Sequence, residues 1–190
     1  MTQLELNQEV IVLNKKYTTK TNELLYLNNS LYSKYKYIIT DLNKNELFNC
    51  AIGRLDDLDL MKDSNGDIIA NFKIKKFLNP NNTKLYLSGT GDNEHEQTVT
   101  FEYRPSLKEK KYTVEFFTLS GKKEILDVIC NNNKEIDIFY GYKKKGGALI
   151  SKITKESLFN DKCKIEVYPG IDKLFIVIIT LHILLLTKTG

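Results

Sequence analysis

Apolar and polar residues alternate with a period of two along most of this chain. In "DIIANFKIKKF", Ile68, Ala70, Phe72 and Ile74 fall on one face, and Asn71, Lys73 and Lys75 on the other. "QTVTFEY" sets Val99, Phe101 and Tyr103 against Thr98, Thr100 and Glu102, and "KEIDIFYGY" groups Ile136, Ile138 and Tyr140. This period marks strands with one buried face. Shorter runs of the same kind are "KYKYIIT", "ELFNCAI", "KLYLS", "KYTVEFFT", "KEILDVIC", "GALISKITK" and "CKIEVY", rich in the β-branched and aromatic residues that strands favour. Weaker runs lie at "LLYL" and "LDLMK". Asn65-Gly66, Ser120-Gly121 and Gly146-Gly147 suit tight hairpin turns, and "DLNKNE" and "NPNNTK" read as polar loops. The pattern predicts about twelve strands in a meandering antiparallel sheet, closed into a barrel or sandwich.

The alternation stops at "YPGIDKLFIVIITLHILLLTKTG". From Leu174 to Leu186 only Thr180 and His182 are polar. A helix over this run reaches about 20 Å, whereas a bilayer span needs about 20 apolar residues. Thr180 and His182 fall on opposite sides of such a helix, so no polar stripe exists. A helix apolar all round is buried all round. A barrel of about twelve strands encloses more room than its own side chains fill, and a helix is about 10 Å across. The helix is therefore expected inside the sheet, with His182 hydrogen-bonded in the core and Asp172 at the helix start.

Composition narrows the function classes. The chain has 190 residues, 42% of them apolar, and a net charge of +4. That length supports a single domain, 1–190, with a sizeable core. The basic residues are nearly all lysine, with Arg54 and Arg104 the only arginines. Bidentate readout of bases favours arginine, so no nucleic-acid partner is expected. Cys50, Cys130 and Cys163 are odd in number and lack CxxC spacing. They fit a reducing compartment and read as small core residues in strands. "MTQLELNQEVIVLNKKY" has only the short apolar run Val10 to Leu13 and no basic leader, so a cytoplasmic protein is expected.

Catalytic and metal motifs are missing. There is no GxGxxG, P-loop, GxSxG or HExxH. "KDSNGDIIANFK" fails as a calcium loop, because Met61 and Phe72 stand where carboxylates are required. It reads as a hairpin turn. His95 in "DNEHEQ" has acidic neighbours but no second histidine nearby, so no metal site is assigned. No enzyme and no cofactor are expected.

The order of "YKYIITDLNKNELFNCAI", "LMKDSNGDIIANFKIKK", "YTVEFF…ILDVIC…IFYG" and "YPGIDKLFIVIITLHILL" resembles the LURP-one-related family. That family is grouped with tubby C-terminal domains and phospholipid scramblases. The resemblance covers roughly residues 15–187. It implies a mostly β fold, an antiparallel β-barrel of about twelve strands around a central apolar C-terminal α-helix. Its most specific parts are the Asp63–Gly66 turn with the strand behind it and the Pro-Gly-Ile-Asp segment before the helix. The chain lacks the tryptophan that members often carry after the lysine-rich strand. It also lacks the cysteine- and proline-rich N-terminus and acidic calcium segment of many scramblases.

Three lysine clusters remain: Lys73, Lys75 and Lys76; Lys143, Lys144 and Lys145; and Lys108, Lys110 and Lys111. Lysines at edges and turns discourage aggregation. Near an anionic membrane each also contributes roughly 1 kcal/mol of attraction. Tubby domains bind phosphoinositides through a Lys-x-Arg pair, and Lys73-Ile74-Lys75 is the nearest local analogue, with lysine replacing arginine. The resemblance and the clusters together imply a non-enzymatic module that binds acidic phospholipid or phosphoinositide head groups, peripheral at the inner membrane leaflet. Its expected contacts are Lys73, Lys75, Lys76, Lys143, Lys144 and Lys145. The alternatives are a regulatory or protein-interaction module without lipid affinity, and a scramblase-like protein anchored by its C-terminal helix.

Overall fold

The computed structural model describes residues 9–29, 36–53, 57–76, 82–90, 96–131, 134–156 and 162–188, leaving aside the side chains of residues 76, 187 and 188. Twelve strands follow one another: β1 (Glu23–Asn29), β2 (Lys36–Thr40), β3 (Glu46–Ala51), β4 (Asp59–Asp63), β5 (Ile68–Lys76) and β6 (Asn82–Gly89) form the first half. β7 (Glu96–Arg104), β8 (Lys110–Phe117), β9 (Lys123–Asn131), β10 (Glu135–Tyr140), β11 (Ala148–Lys155) and β12 (Cys163–Val167) form the second, and helix α1 (Lys173–Lys188) comes last. Each strand pairs with its neighbours in sequence, and β1 pairs antiparallel with β12, so the sheet closes as a barrel rather than a sandwich. One consequence is geometric. Hairpins leading from an odd to an even strand cluster at one end of the barrel. Those from even to odd, and the turn from β12 into α1, lie at the other.

The helix fills the barrel. Every residue from Leu174 to Leu184 is buried, Thr180 and His182 included. Sixteen residues make about 24 Å of helix. Near its start, Phe175 packs on Phe116 of β8 with ring centroids 5.1 Å apart. Near its end, His182 Nε2 lies 2.9 Å from Thr83 Oγ1 of β6, and its ring lies 4.2 Å from Phe101 of β7. Thr180 Oγ1 donates to the Ile176 carbonyl at 2.8 Å. Both polar helix residues thus have a partner in the core, as burial demands. No helix among the described residues is long and apolar enough to cross a membrane.

The segment Val10–Thr19 runs across the barrel end where β12 turns into α1. Val10 N–H donates to the Gly170 carbonyl at 2.8 Å, Asp172 N–H to the Val10 carbonyl at 3.0 Å, and Thr19 N–H to the Ile171 carbonyl at 2.9 Å. Val10, Val12 and Leu13 belong to the core, which therefore begins before residue 15. Asp172 holds this junction. One carboxylate oxygen accepts from the backbone N–H groups of Val12, Leu13 and Asn14 at 3.3, 2.8 and 3.2 Å. The other accepts from Leu174 and Phe175 at 3.1 and 3.2 Å, which caps the helix. Burial pushes the Asp172 carboxyl above its ordinary pKa, and these N–H donors oppose that push.

The pattern on β5 is one residue out at its start. Ile68 is exposed and Ile69 packs on the core, because the register with β4 shifts between Met61 and Lys62. A bulge of this kind turns the next side chain to the other face. The rest of β5 keeps the expected phase, with Ala70, Phe72 and Ile74 buried. "KDSNG" forms the expected hairpin turn, with Gly66 N–H donating to the Asp63 carbonyl at 3.0 Å and Asp63 Oδ1 accepting from Asn65 and Asp67. Cys50, Cys130 and Cys163 are buried in strands, and none of them forms a disulfide among the described residues. Burial raises the pKa of Cys50 to about 12 and of Cys130 to about 11, which suppresses thiolate chemistry. His95 and the "NPNNT" loop up to residue 81 lie outside the described residues.

Asp59, buried at the start of β4, accepts from Gly53 N–H at 2.7 Å. Burial, with a contribution from Asp57, raises its carboxyl from 3.8 to about 6 despite that bond. The folded state therefore holds the proton more tightly than the unfolded chain. The stabilising contribution is complete below about pH 4 and disappears as pH rises through about 6. Asp59→Asn keeps the acceptor oxygen and removes the ionisation. The variant is expected to be more stable than the parent at pH 8, by about 1–3 kcal/mol, and no more stable at pH 4. Urea titrations at both pH values check this; an equal effect at both would exclude the ionisation.

Candidate functional site

On β9, Leu126, Val128 and Cys130 alternate into the core. Asp127 and Ile129 therefore point outward, yet they too are buried. The connection between β10 and β11 covers them. It folds back along the barrel wall, with Gly141 N–H donating to the Ile125 carbonyl at 3.0 Å and Lys143 N–H to Asp127 Oδ2 at 3.0 Å. Lys143–Lys145 form a single 3-10 turn within it. The two glycines that follow are required. Gly146 has a φ of +84°, and a Cβ at Gly147 would stand 2.5 Å from the Gly141 carbonyl oxygen.

The result is a groove of about 770 Å³ in the wall, lined by Arg104 from β7, Lys111 from β8, Asp127 and Ile129 from β9, and Tyr142 to Lys145 from the turn, with Pro105, Ser106 and Glu109 at the rim. Arg104 pairs with Asp127 Oδ1 and lies 5.7 Å from the Tyr142 ring. Lys145 Nζ lies 5.4 Å from the same ring, and Lys143 Nζ lies 4.9 Å from Phe139. Lys111 pairs with Glu109 at 2.7 Å. That bond holds the Glu109 carboxyl below its ordinary range, with Lys143 and Lys108 adding to the pull.

Five cations thus face two carboxylates in this groove. Asp127 neutralises Arg104 and Glu109 neutralises Lys111. Lys143, Lys144 and Lys145 enter no salt bridge among the described residues, so their charge is available to an anion. Several phosphate oxygens can be met by such an array, beside the ring of Tyr142.

Lys73 and Lys75 lie elsewhere. They point outward from β5 into a second groove of about 380 Å³, beside Leu58, Asn71, Tyr86, Ser88 and Glu96. Lys73 stands opposite Tyr86 on β6, and Lys75 opposite Lys84. No residue lines both grooves. The structure therefore divides five of the six predicted lysines between two grooves, and the side chain of Lys76 lies outside the described residues. It also joins Lys111, from the third cluster, to the Lys143–Lys145 turn. Arg104, Asp127 and Tyr142 did not stand out in the sequence. The available signal was Ile129, an apolar residue on a face that the alternation assigns to solvent.

A family model described as LURP-one-related matches residues 2–183. Among solved structures, the fold is similar to the X-ray structure of a protein from Arabidopsis thaliana, with a TM-score of 0.59 and 17% identity over 90% of this chain and 95% of that one. At that identity the likeness speaks to the fold alone. No curated protein sequence matches the chain.

Proposed function

Since the chain belongs to the LURP-one-related family, a tubby-like barrel, we propose that it is a non-enzymatic module that binds acidic phospholipid or phosphoinositide head groups, peripheral at the inner membrane leaflet. The observation that carries this reading is the wall groove in which Lys143, Lys144 and Lys145 have no carboxylate partner among the described residues. The 3-10 turn places these three positive charges side by side on the backbone. Arg104 and Lys111, already ordered by Asp127 and Glu109, form the back of the same groove. The Lys73–Lys75 groove supplies a second, weaker contact.

Charge reversal tests this. Lys143→Glu, Lys144→Glu and Lys145→Glu together are expected to weaken co-sedimentation with phosphoinositide-containing vesicles by about 100-fold or more, from roughly 1 kcal/mol per lysine near the surface. Lys73→Glu with Lys75→Glu should weaken it less. Raised salt should reproduce the loss, since surface attraction is screened within about 8 Å at physiological ionic strength. Sedimentation that neither the triple variant nor salt changes would remove this reading and leave a protein-interaction module in its place.

A further inference from the structure

Leu107, in the hairpin between β7 and β8, is fully exposed. The residues on both sides of it, Pro105, Ser106 and Glu109, form the rim of the lysine groove. Leu58, in the hairpin between β3 and β4, is 63% exposed and lines the Lys73–Lys75 groove. Each basic groove therefore carries a protruding leucine at its edge. Both hairpins lead from an odd to an even strand, which puts both leucines at the same end of the closed barrel. It is the end toward which α1 runs, since His182 meets Thr83 at the start of β6. The opposite end is sealed by Val10–Thr19.

We infer that this end docks on an anionic bilayer, with Leu107 and Leu58 inserted among the lipids and the two lysine grooves meeting head groups beside them. The inference rests on the lipid-binding reading above and adds an orientation to it. The charge next to the protruding leucines differs between the two ends. Leu42 protrudes as far as Leu58, at 66% exposure, but at the other end of the barrel. It adjoins Asp41, and the next hairpin at that end carries Asp63 and Asp67. Lys44 in the Leu42 hairpin and Lys122 and Lys123 at the β8–β9 hairpin share that end, so charge of both signs surrounds Leu42. At the docking end, Leu107 is followed by Lys108, Lys110 and Lys111, and Leu58, which lies between Asp57 and the buried Asp59, has Lys73 and Lys75 in its groove. Apolar insertion and charge attraction act together there, and two such signals are what stable peripheral binding needs.

The chain contains no tryptophan, so a single introduced indole reports its own surroundings. Leu107→Trp and Leu58→Trp should each show a blue-shifted emission on vesicles of phosphatidylcholine with phosphatidylserine or phosphoinositide, and quenching by brominated acyl chains. Leu42→Trp should show neither. Leu107→Ala should weaken sedimentation about tenfold, the order expected from the apolar surface lost, while leaving the melting temperature unchanged. If the three indole variants sediment with the vesicles but the emission of neither Leu107→Trp nor Leu58→Trp shifts, the docking orientation is wrong and head-group binding stands. A shift in Leu42→Trp instead would reverse the orientation. If no variant sediments, and the parent chain does not either, both the orientation and the lipid-binding reading fall.

Discussion

Asp172→Ala is expected to abolish the fold rather than weaken it. The Asp172 carboxylate is fully buried and accepts five backbone N–H groups, three from Val12–Asn14 and two from the first turn of α1. Each buried donor left without an acceptor costs about 1–3 kcal/mol, and a domain holds only about 5–15 kcal/mol in total. Asp172→Asn is not a conservative escape. Asparagine keeps one acceptor oxygen and turns an NH2 group toward N–H donors that need an acceptor. Both variants should lose the cooperative urea transition or fail to accumulate as soluble protein. A folded Asp172→Asn protein within about 1 kcal/mol of the parent would mean that the donors find other partners.

The second large effect lies in α1. Ile178 is completely buried inside the barrel. Ile178→Asp would put an uncompensated carboxylate in an apolar interior, at a cost of several kcal/mol, comparable with the whole stability. Removing everything after Ile171 goes further, because it empties the barrel. Neither protein should give a dispersed, cooperatively melting domain. A well-folded 1–171 fragment would show that the sheet sustains itself, and the helix would then need a different role.

The strands, their hairpins and the enclosed helix were legible because each rests on a local signal: a period of two, a turn residue, or an apolar run without a polar stripe. The barrel rather than the sandwich was not decided by the strands themselves; it followed from the helix that needed enclosing and from the family resemblance. Ile68 was misplaced because a bulge is a mismatch between two strands, and one strand's sequence does not contain it. Asp172 was legible as a helix cap but not as the anchor of Val12–Asn14, which lie about 160 residues away. The lysine clusters were visible as charge, but their distribution over two grooves was not. It depends on how the β10–β11 connection folds back over Asp127 and Ile129, which Gly146 and Gly147 allow without specifying.

The helix that fills the barrel follows all twelve strands in the chain, and this has a kinetic consequence. Successive hairpins are close in sequence and can pair as they are synthesised. The seam between β1 and β12 joins Glu23 to Val167, a closure that must wait for most of the chain and that contributes to slow folding. Until β12 is made the edge of β1 has no partner, and until residues 173–188 arrive the inner faces of the sheet lack the helix they pack against. Such an intermediate is sticky along its edges and its inner surface. The final docking of α1 buries that inner surface in one step, so folding in the cell is expected to be delayed and then abrupt, with the nascent sheet dependent on chaperones until its core is made.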